Sequence, residues 1–224
     1  MSFASIQFLL FLPLVFSVYY IRPTIRWQNA VSVLASYYFY GWWNYRFCAL
    51  LFGTSALDYW LGARIAKTDR PAARRTLLIL SLVSNLGLLG FFKYYNFFVS
   101  SLVLALDKAG VHIHTLLLNV ILPAGISFYT FQSLSYTIDI YRGRLKSSRD
   151  FLAYLGFVSF FPHLVAGPIQ RASYLLPQFT RLRSFSYSDA VSGCRLMLWG
   201  FFKKVAVADN LAPAEIRPFV YFQF

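Results

Sequence analysis

ILPAGISFYTFQSLSYTIDIYRGRLKSSRDFLAYLGFVSFFPHLVAGPIQR, residues Ile121–Arg171, sets two apolar stretches on either side of a basic hinge, Arg142-Gly-Arg-Leu-Lys-Ser-Ser-Arg149. The first stretch, Thr115 to Tyr141, is long enough to cross a bilayer, which takes about 20 residues of helix. The second, Phe151 to Ala166, is short for a crossing and closes on Phe160-Phe-Pro-His163 and Gly167-Pro168. Polar and backbone-breaking groups at that depth persist only where protein or a water-filled cavity satisfies their hydrogen bonds. Residues 121–171 are therefore expected to wall a site inside a membrane protein.

Composition points the same way. The chain is 58% hydrophobic and 20% aromatic, with 13% charged residues, against about 25% charged in an ordinary soluble domain. The net charge of +13 does not imply a nucleic-acid partner, because the basic residues cluster at the ends of apolar spans, where they act as topology signals. The partner is the lipid bilayer. Cys48 and Cys194 have no paired spacing and suggest neither a disulfide framework nor a zinc site.

Outward from the hinge, the chain reads as a series of spans. Phe3–Ile21 is followed rather than preceded by basic residues, Arg22 and Arg26, the reverse of a signal peptide, and is expected to be a retained first helix. Gln28–Trp43 is the second span; its aromatic end, Tyr37-Tyr-Phe-Tyr-Gly-Trp-Trp43, suits a membrane interface or helix packing. Phe47–Ala66 is the third. Its mid-span Asp58 must face the interior, either as a substrate or proton contact or, the favoured reading, as a hydrogen-bonded tie between helices. Thr76–Phe92 is the fourth span, with Lys93-Tyr-Tyr-Asn96 at its far interface. Phe97–Leu106 then lies on the surface or completes a tilted helix.

Residues Asp107–His114 read as an exposed loop, and His112 with His114 is too small a set for a metal site. In the fifth span, Pro123 and Gly125 predict a kink, and Asp139 and Arg142 have the spacing of a helical ion pair. Basic connections at 22–26, 67–75 and 142–149 alternate with weakly charged ones at 44–46 and 107–114. This is the pattern of a multi-pass protein with its N-terminus outside and the 142–149 hinge in the cytoplasm. Arg171, Arg181 and Arg183 follow residues 151–166 and stay on the cytoplasmic side if that segment is a re-entrant hairpin, which is favoured over a crossing. Ser188-Asp189 starts a last helix, Ala190–Ala208, interrupted at Lys203-Lys204; it either spans or lies in the interface.

LPAGISFYTFQSLSYTIDIYRG and FFPHLVAGPIQR, with Phe91-Phe-Lys-Tyr-Tyr-Asn-Phe-Phe98 and Gly200-Phe-Phe-Lys-Lys-Val-Ala-Val-Ala-Asp-Asn-Leu211, resemble the membrane-bound O-acyltransferase family. The similar branch is the one typified by the membrane subunit of alginate O-acetylation. The resemblance runs from Met1 to about Ala212. It implies an all-α, polytopic transmembrane bundle with a re-entrant segment, corresponding to the N-terminal half of the family's fold. It also implies one membrane domain over 1–224, apparently truncated, in a bacterial inner membrane.

The implied activity is transfer of acetyl groups from a cytoplasmic donor, acetyl-CoA, to an exopolysaccharide such as alginate through periplasmic acetyltransferase partner proteins. Acyl transfer needs a base for the acceptor hydroxyl and a stabilised oxyanion. The family's histidine base lies beyond the matched region, so none of His112, His114 and His163 is assigned a catalytic role, and the fragment alone is expected to be inactive. Neither a metal nor a resident cofactor is expected. Gln132, His163 and Arg171 are the candidate substrate contacts; His163 lines the cavity or, the favoured reading, bonds a backbone carbonyl. Arg142, Arg144 and Arg171 are candidates for the donor's phosphates, each also readable as a topology charge. A transporter or channel built on broken helices and a non-catalytic remnant are the alternatives.

Overall fold

The structure, a computed structural model, describes residues 3, 5–108, 121–164, 168–208 and 210, and these are helical, with no strand among them. The His112–His114 loop, the start of the expected fifth span and everything after 210 lie outside the described residues. The helices are α1 (Ile6–Ile21), α2 (Ile25–Asn44), α3 (Arg46–Lys67), α4 (Pro71–Lys108), α5 (Ile126–Tyr141), α6 (Phe151–Ser159), α7 (Phe161–Leu164), α8 (Ala172–Phe179) and α9 (Tyr187–Phe202), the last continuing as a π-helix over Lys203–Ala208.

Helix starts follow local chemistry. Ser5, Thr24 and Asp150 each accept a backbone N–H of the first turn of α1, α2 and α6, the donors a helix start otherwise leaves orphaned. Helices α1 to α4 turn back on one another through Arg22–Thr24, Tyr45 alone and Thr68–Arg70. The turns at 22–24 and 68–70 therefore lie at one end of the bundle. Arg74 on α4 donates through Nη2 to the Tyr141 carbonyl at 2.9 Å, which brings the end of α5 to that same end. Basic residues gather there.

Two spans differ from expectation. Helix α4 is one rod of 38 residues, about 57 Å at 1.5 Å per residue, and Lys93-Tyr-Tyr-Asn96 sits inside it. Among the described residues it is the one helix long and apolar enough to cross a membrane by those measures, with α1 a shorter apolar helix. The expected kink in the fifth span is instead a helix start. Gly125 takes φ +71°, and α5 begins at Ile126.

A Cβ on Gly125 would collide with the Leu164 carbonyl oxygen. The glycine thus serves both the left-handed backbone and the close approach of α7. Gly125→Ala is expected to cost about 2–3 kcal/mol, from αL strain and overpacking against a backbone atom that cannot rotate away. Thermal unfolding of the detergent-solubilised chain measures it, and an unchanged midpoint would contradict the contact.

The core is polar as well as apolar. Asp58, fully buried on α3, accepts hydrogen bonds from Ser81 Oγ (2.6 Å) and Asn85 Nδ2 (2.7 Å) on α4 and from Ser133 Oγ on α5. Ser133 lies 2.8 Å from the Tyr154 hydroxyl on α6, and Ser81 lies 3.1 Å from Thr137 on α5. Of the two sequence readings of Asp58, the interhelical tie is the one these contacts form. A second, aromatic cluster closes α1 and α2 over α7: Phe161 meets Phe8, Phe11 and Phe39 with ring centroids 6.3, 5.5 and 5.5 Å apart.

Candidate functional site

Between α6 and the start of α9 the chain is broken repeatedly, and the broken backbone is matched by side chains of α2 and α5. The Phe157 carbonyl accepts from Gln132 Nε2 at 2.6 Å. At the break before α7, the Phe161 N–H donates to Ser36 Oγ at 3.1 Å. The Ala172 N–H at the start of α8 donates to Ser135 Oγ at 3.1 Å, and the Phe179 carbonyl at its end accepts from Asn29 Nδ2 at 2.9 Å.

Gln28 then clamps Arg183. Its Nε2 donates to the Arg183 carbonyl at 2.6 Å, while its Oε1 accepts from the Arg183 N–H at 3.1 Å and from Nε at 3.3 Å. Arg183 also donates to Asn29 Oδ1 at 2.7 Å and lies over the Tyr19 and Phe179 rings. Burial pulls its guanidinium pKa below the ordinary value, while Tyr19 and Tyr20 oppose that shift.

These contacts trace an out-and-back path. Ser148 near the hinge donates its N–H to the Tyr136 hydroxyl, Phe161 reaches Ser36, and Arg183 returns to Gln28. Ser36 is eleven residues into α2, about 17 Å from the Arg22 end. Gln28→Ala is expected to release the 180–186 loop. Trypsin cleavage at Arg181 and Arg183 should quicken about tenfold or more, since the backbone there loses both partners. Unchanged cleavage would mean the clamp does not hold.

Beside these contacts, at the basic end, lies a cavity of about 360 Å³ between α4 and α5. Leu82, Leu86, Phe131, Leu134 and Ile138 form its apolar wall; Asp139, Arg142, Arg144 and Arg171 supply its charge. Arg142 caps α5, Gly143 turns the chain at φ +71°, and Arg171 immediately precedes α8. The side chains of Arg142, Arg144 and Arg171 make no hydrogen bond, ion pair or ring contact with described residues, whereas Arg74 and Arg183 are consumed by the protein. The expected Asp139–Arg142 pair does not form among the described residues, although Arg142 keeps the last helical turn, its N–H donating to the Ile138 carbonyl at 3.0 Å. Asp139 instead holds the hinge through its carbonyl, which accepts from the Arg144 and Leu145 N–H groups, and its Oδ2 is buried without a partner.

The three sequence candidates thus separate. Arg171 lines the cavity. Gln132 is buried and engaged with the α6 backbone. His163, half-buried on α7, packs on Phe160 and forms no carbonyl bond with described residues, and its Nδ1 is buried without a partner. Sequence reasoning passed over Gln28, Asn29 and Ser36, although a polar row in an otherwise apolar span is the pattern that marks a helix face turned to buried polar groups.

Three comparisons bear on the family. The chain is 41% identical over 215 residues to a protein of Azotobacter vinelandii named as an alginate O-acetylase, covering 95% of this chain and 42% of the relative. It is 42% identical over 214 residues to the alginate O-acetylase of Pseudomonas aeruginosa, covering 95% and 41%. It is 36% identical over 232 residues to a peptidoglycan O-acetyltransferase of Helicobacter pylori, covering 90% and 43%. The chain therefore spans about two fifths of the length of these relatives. No family model and no solved structure matches it. The resemblance to membrane-bound O-acyltransferases read from the motifs holds over nearly the whole chain.

Proposed function

We propose that this chain, similar along nearly its whole length to the alginate O-acetylases, builds the donor-binding wall of a membrane-bound O-acetyltransferase. The observation that carries this reading is the convergence of Arg142, Arg144 and Arg171, unengaged by the described residues, on one cavity with an apolar interior. Guanidinium groups bind phosphate oxygens by paired, charge-assisted hydrogen bonds. The apolar wall keeps water from a thioester. Acetyl-CoA has both parts, phosphates and a thioester on a thin arm, and is the proposed donor.

In this reading the chain is a multi-pass protein of a bacterial inner membrane, with its N-terminus outside and the 142–149 hinge in the cytoplasm. The segment 151–166 re-enters. The return of Arg183 to Gln28, and the capture of the Phe157, Phe161, Ala172 and Phe179 backbone by α2 or α5 side chains, support the hairpin. The acceptor is an exopolysaccharide hydroxyl such as that of alginate, reached from the other face with periplasmic partner proteins. Residues 1–224 form one membrane domain that binds donor, and the base that takes the acceptor proton is proposed to come from the part of the relatives that this chain does not span. His163 and Gln132 shape the wall. Donor binding is then expected of this chain and turnover is not.

The test has two arms. A cysteine placed at Ser147 should react with an impermeant maleimide from the cytoplasmic side alone, and purified chain in detergent should bind acetyl-CoA in the micromolar to millimolar range. Labelling of residue 147 from outside, or no binding at millimolar acetyl-CoA, would overturn the proposal.

A further inference from the structure

A second cavity, about 640 Å³, lies on the outward side of α1 and α2, away from the arginine pocket. Its floor is Val31 and Ala35, both buried, and its rims are Leu10, Leu14 and Leu34, all more than 60% exposed. It runs along α2 from Trp27 to Trp42, about 22 Å by the helical rise, longer than the roughly 15 Å depth of one leaflet's hydrocarbon. Alanines at positions 30 and 35 leave space between the larger side chains of Trp27, Leu34 and Tyr38.

One end of this groove is doubly basic, whereas the far end, at Trp42, is followed by the single Arg46. Arg22 lies over the Trp27 ring at 5.3 Å, and Arg26 stands one residue before that tryptophan; both arginines are exposed. The Trp27 indole N–H is already given to the Val18 carbonyl at 2.9 Å, so this ring serves as a wall and offers no donor to a headgroup. No acidic residue occurs before Asp58, so neither α1 nor α2 neutralises the two arginines. An occupant with a long apolar chain and a negative head matches the apolar groove and its doubly basic end.

We infer that the α1–α2 groove holds one anionic phospholipid of the leaflet at the Arg22 end, an acyl chain lying over Val31 and Ala35 and the phosphate facing Arg22 and Arg26. Basic residues beside a span attract anionic lipid, and here the attraction is joined to a fixed slot for the chain. The site is separate from the proposed donor pocket and does not depend on acetyl transfer.

The chain is reconstituted in nanodiscs of equimolar phosphatidylglycerol and phosphatidylcholine, released, and weighed by native mass spectrometry. One phosphatidylglycerol should remain per chain, favoured about tenfold over phosphatidylcholine. The double variant Arg22→Gln/Arg26→Gln should lose the preference while keeping a lipid. Ala30→Trp should expel lipid of either kind. Leu34→Trp, at an exposed rim position that leaves the core intact, should do the same and guards against misfolding of the first. Equal retention of the two lipids by the unaltered chain, retention unaffected by both tryptophan variants, or disulfide capture of a second copy by a cysteine at Leu34 would each overturn the inference.

Discussion

Asp58→Leu is expected to destabilise the bundle by about 3–5 kcal/mol, because three buried donors lose their acceptor at about 1–3 kcal/mol each. The leucine keeps the aspartate's branching but is bulkier, so overpacking adds to the loss from the donors left behind. Ser81, Asn85 and Ser133 would face an apolar side chain deep in the bundle, and Ser133 is itself the neighbour of Tyr154. Each hydrogen bond to a charged group contributes about 1.5–3 kcal/mol, and the orphaned partner bears its desolvation cost besides. These terms do not add in a connected network, which is why the expected total is below their sum.

Asp58→Asn separates a structural tie from a substrate contact. The amide oxygen can still accept from Asn85 and Ser133, and its NH2 can donate to Ser81 once the serine proton turns toward Thr137, 3.1 Å away. A cost of about 1–2 kcal/mol is therefore expected for the asparagine, with acetyl-CoA binding unchanged. Chemical unfolding in detergent, followed by tryptophan fluorescence, reads the first quantity and equilibrium binding the second. A leucine variant as stable as the parent would remove Asp58 from its place as the tie. An asparagine variant of normal stability that no longer binds donor would make it a substrate contact.

The legible parts of the fold are those where local chemistry decides. The second and third spans were readable as 28–43 and 47–66 and are helices at 25–44 and 46–67, because apolar runs end at polar or basic turns. Helix α4 was cut short at Lys93-Tyr-Tyr-Asn96, residues that suit an interface yet contain no glycine or proline; nothing breaks the helix there, so it continues to Lys108. The short α8 was not legible. It contains Pro177, which argues against helix in isolation, and it exists because Ser135 and Asn29 take its backbone ends. The site divides in the same way. That basic residues would gather around the hinge could be read from charge order. That Arg171 would join Arg142 and Arg144 at one cavity depends on the path of 151–171 back against α5, a tertiary fact that no local pattern records.

Charge reversal at Arg171 is expected to weaken acetyl-CoA binding about 10- to 100-fold, the equivalent of one charge-assisted contact at about 1.5–3 kcal/mol. Arg142→Glu should act alike, and the two together should cost less than the product of the singles if they share one phosphate group. Arg171→Lys should fall between, since a lysine keeps the charge and loses the planar pair of donors. The loss should grow as salt is lowered, because the reversed charge is screened less. Leu86→Trp tests the other half of the pocket. It fills the apolar wall without touching charge, and should weaken acetyl-CoA more than a free adenosine diphosphate probe, which has phosphates and no acyl arm. The bland account, in which these arginines only orient the chain in the membrane, predicts that a correctly inserted Arg171→Glu chain binds donor as the parent does. Labelling at residue 147 verifies insertion in the same sample, so normal affinity in a normally oriented variant would remove the arginines from the donor site and leave them as topology charges.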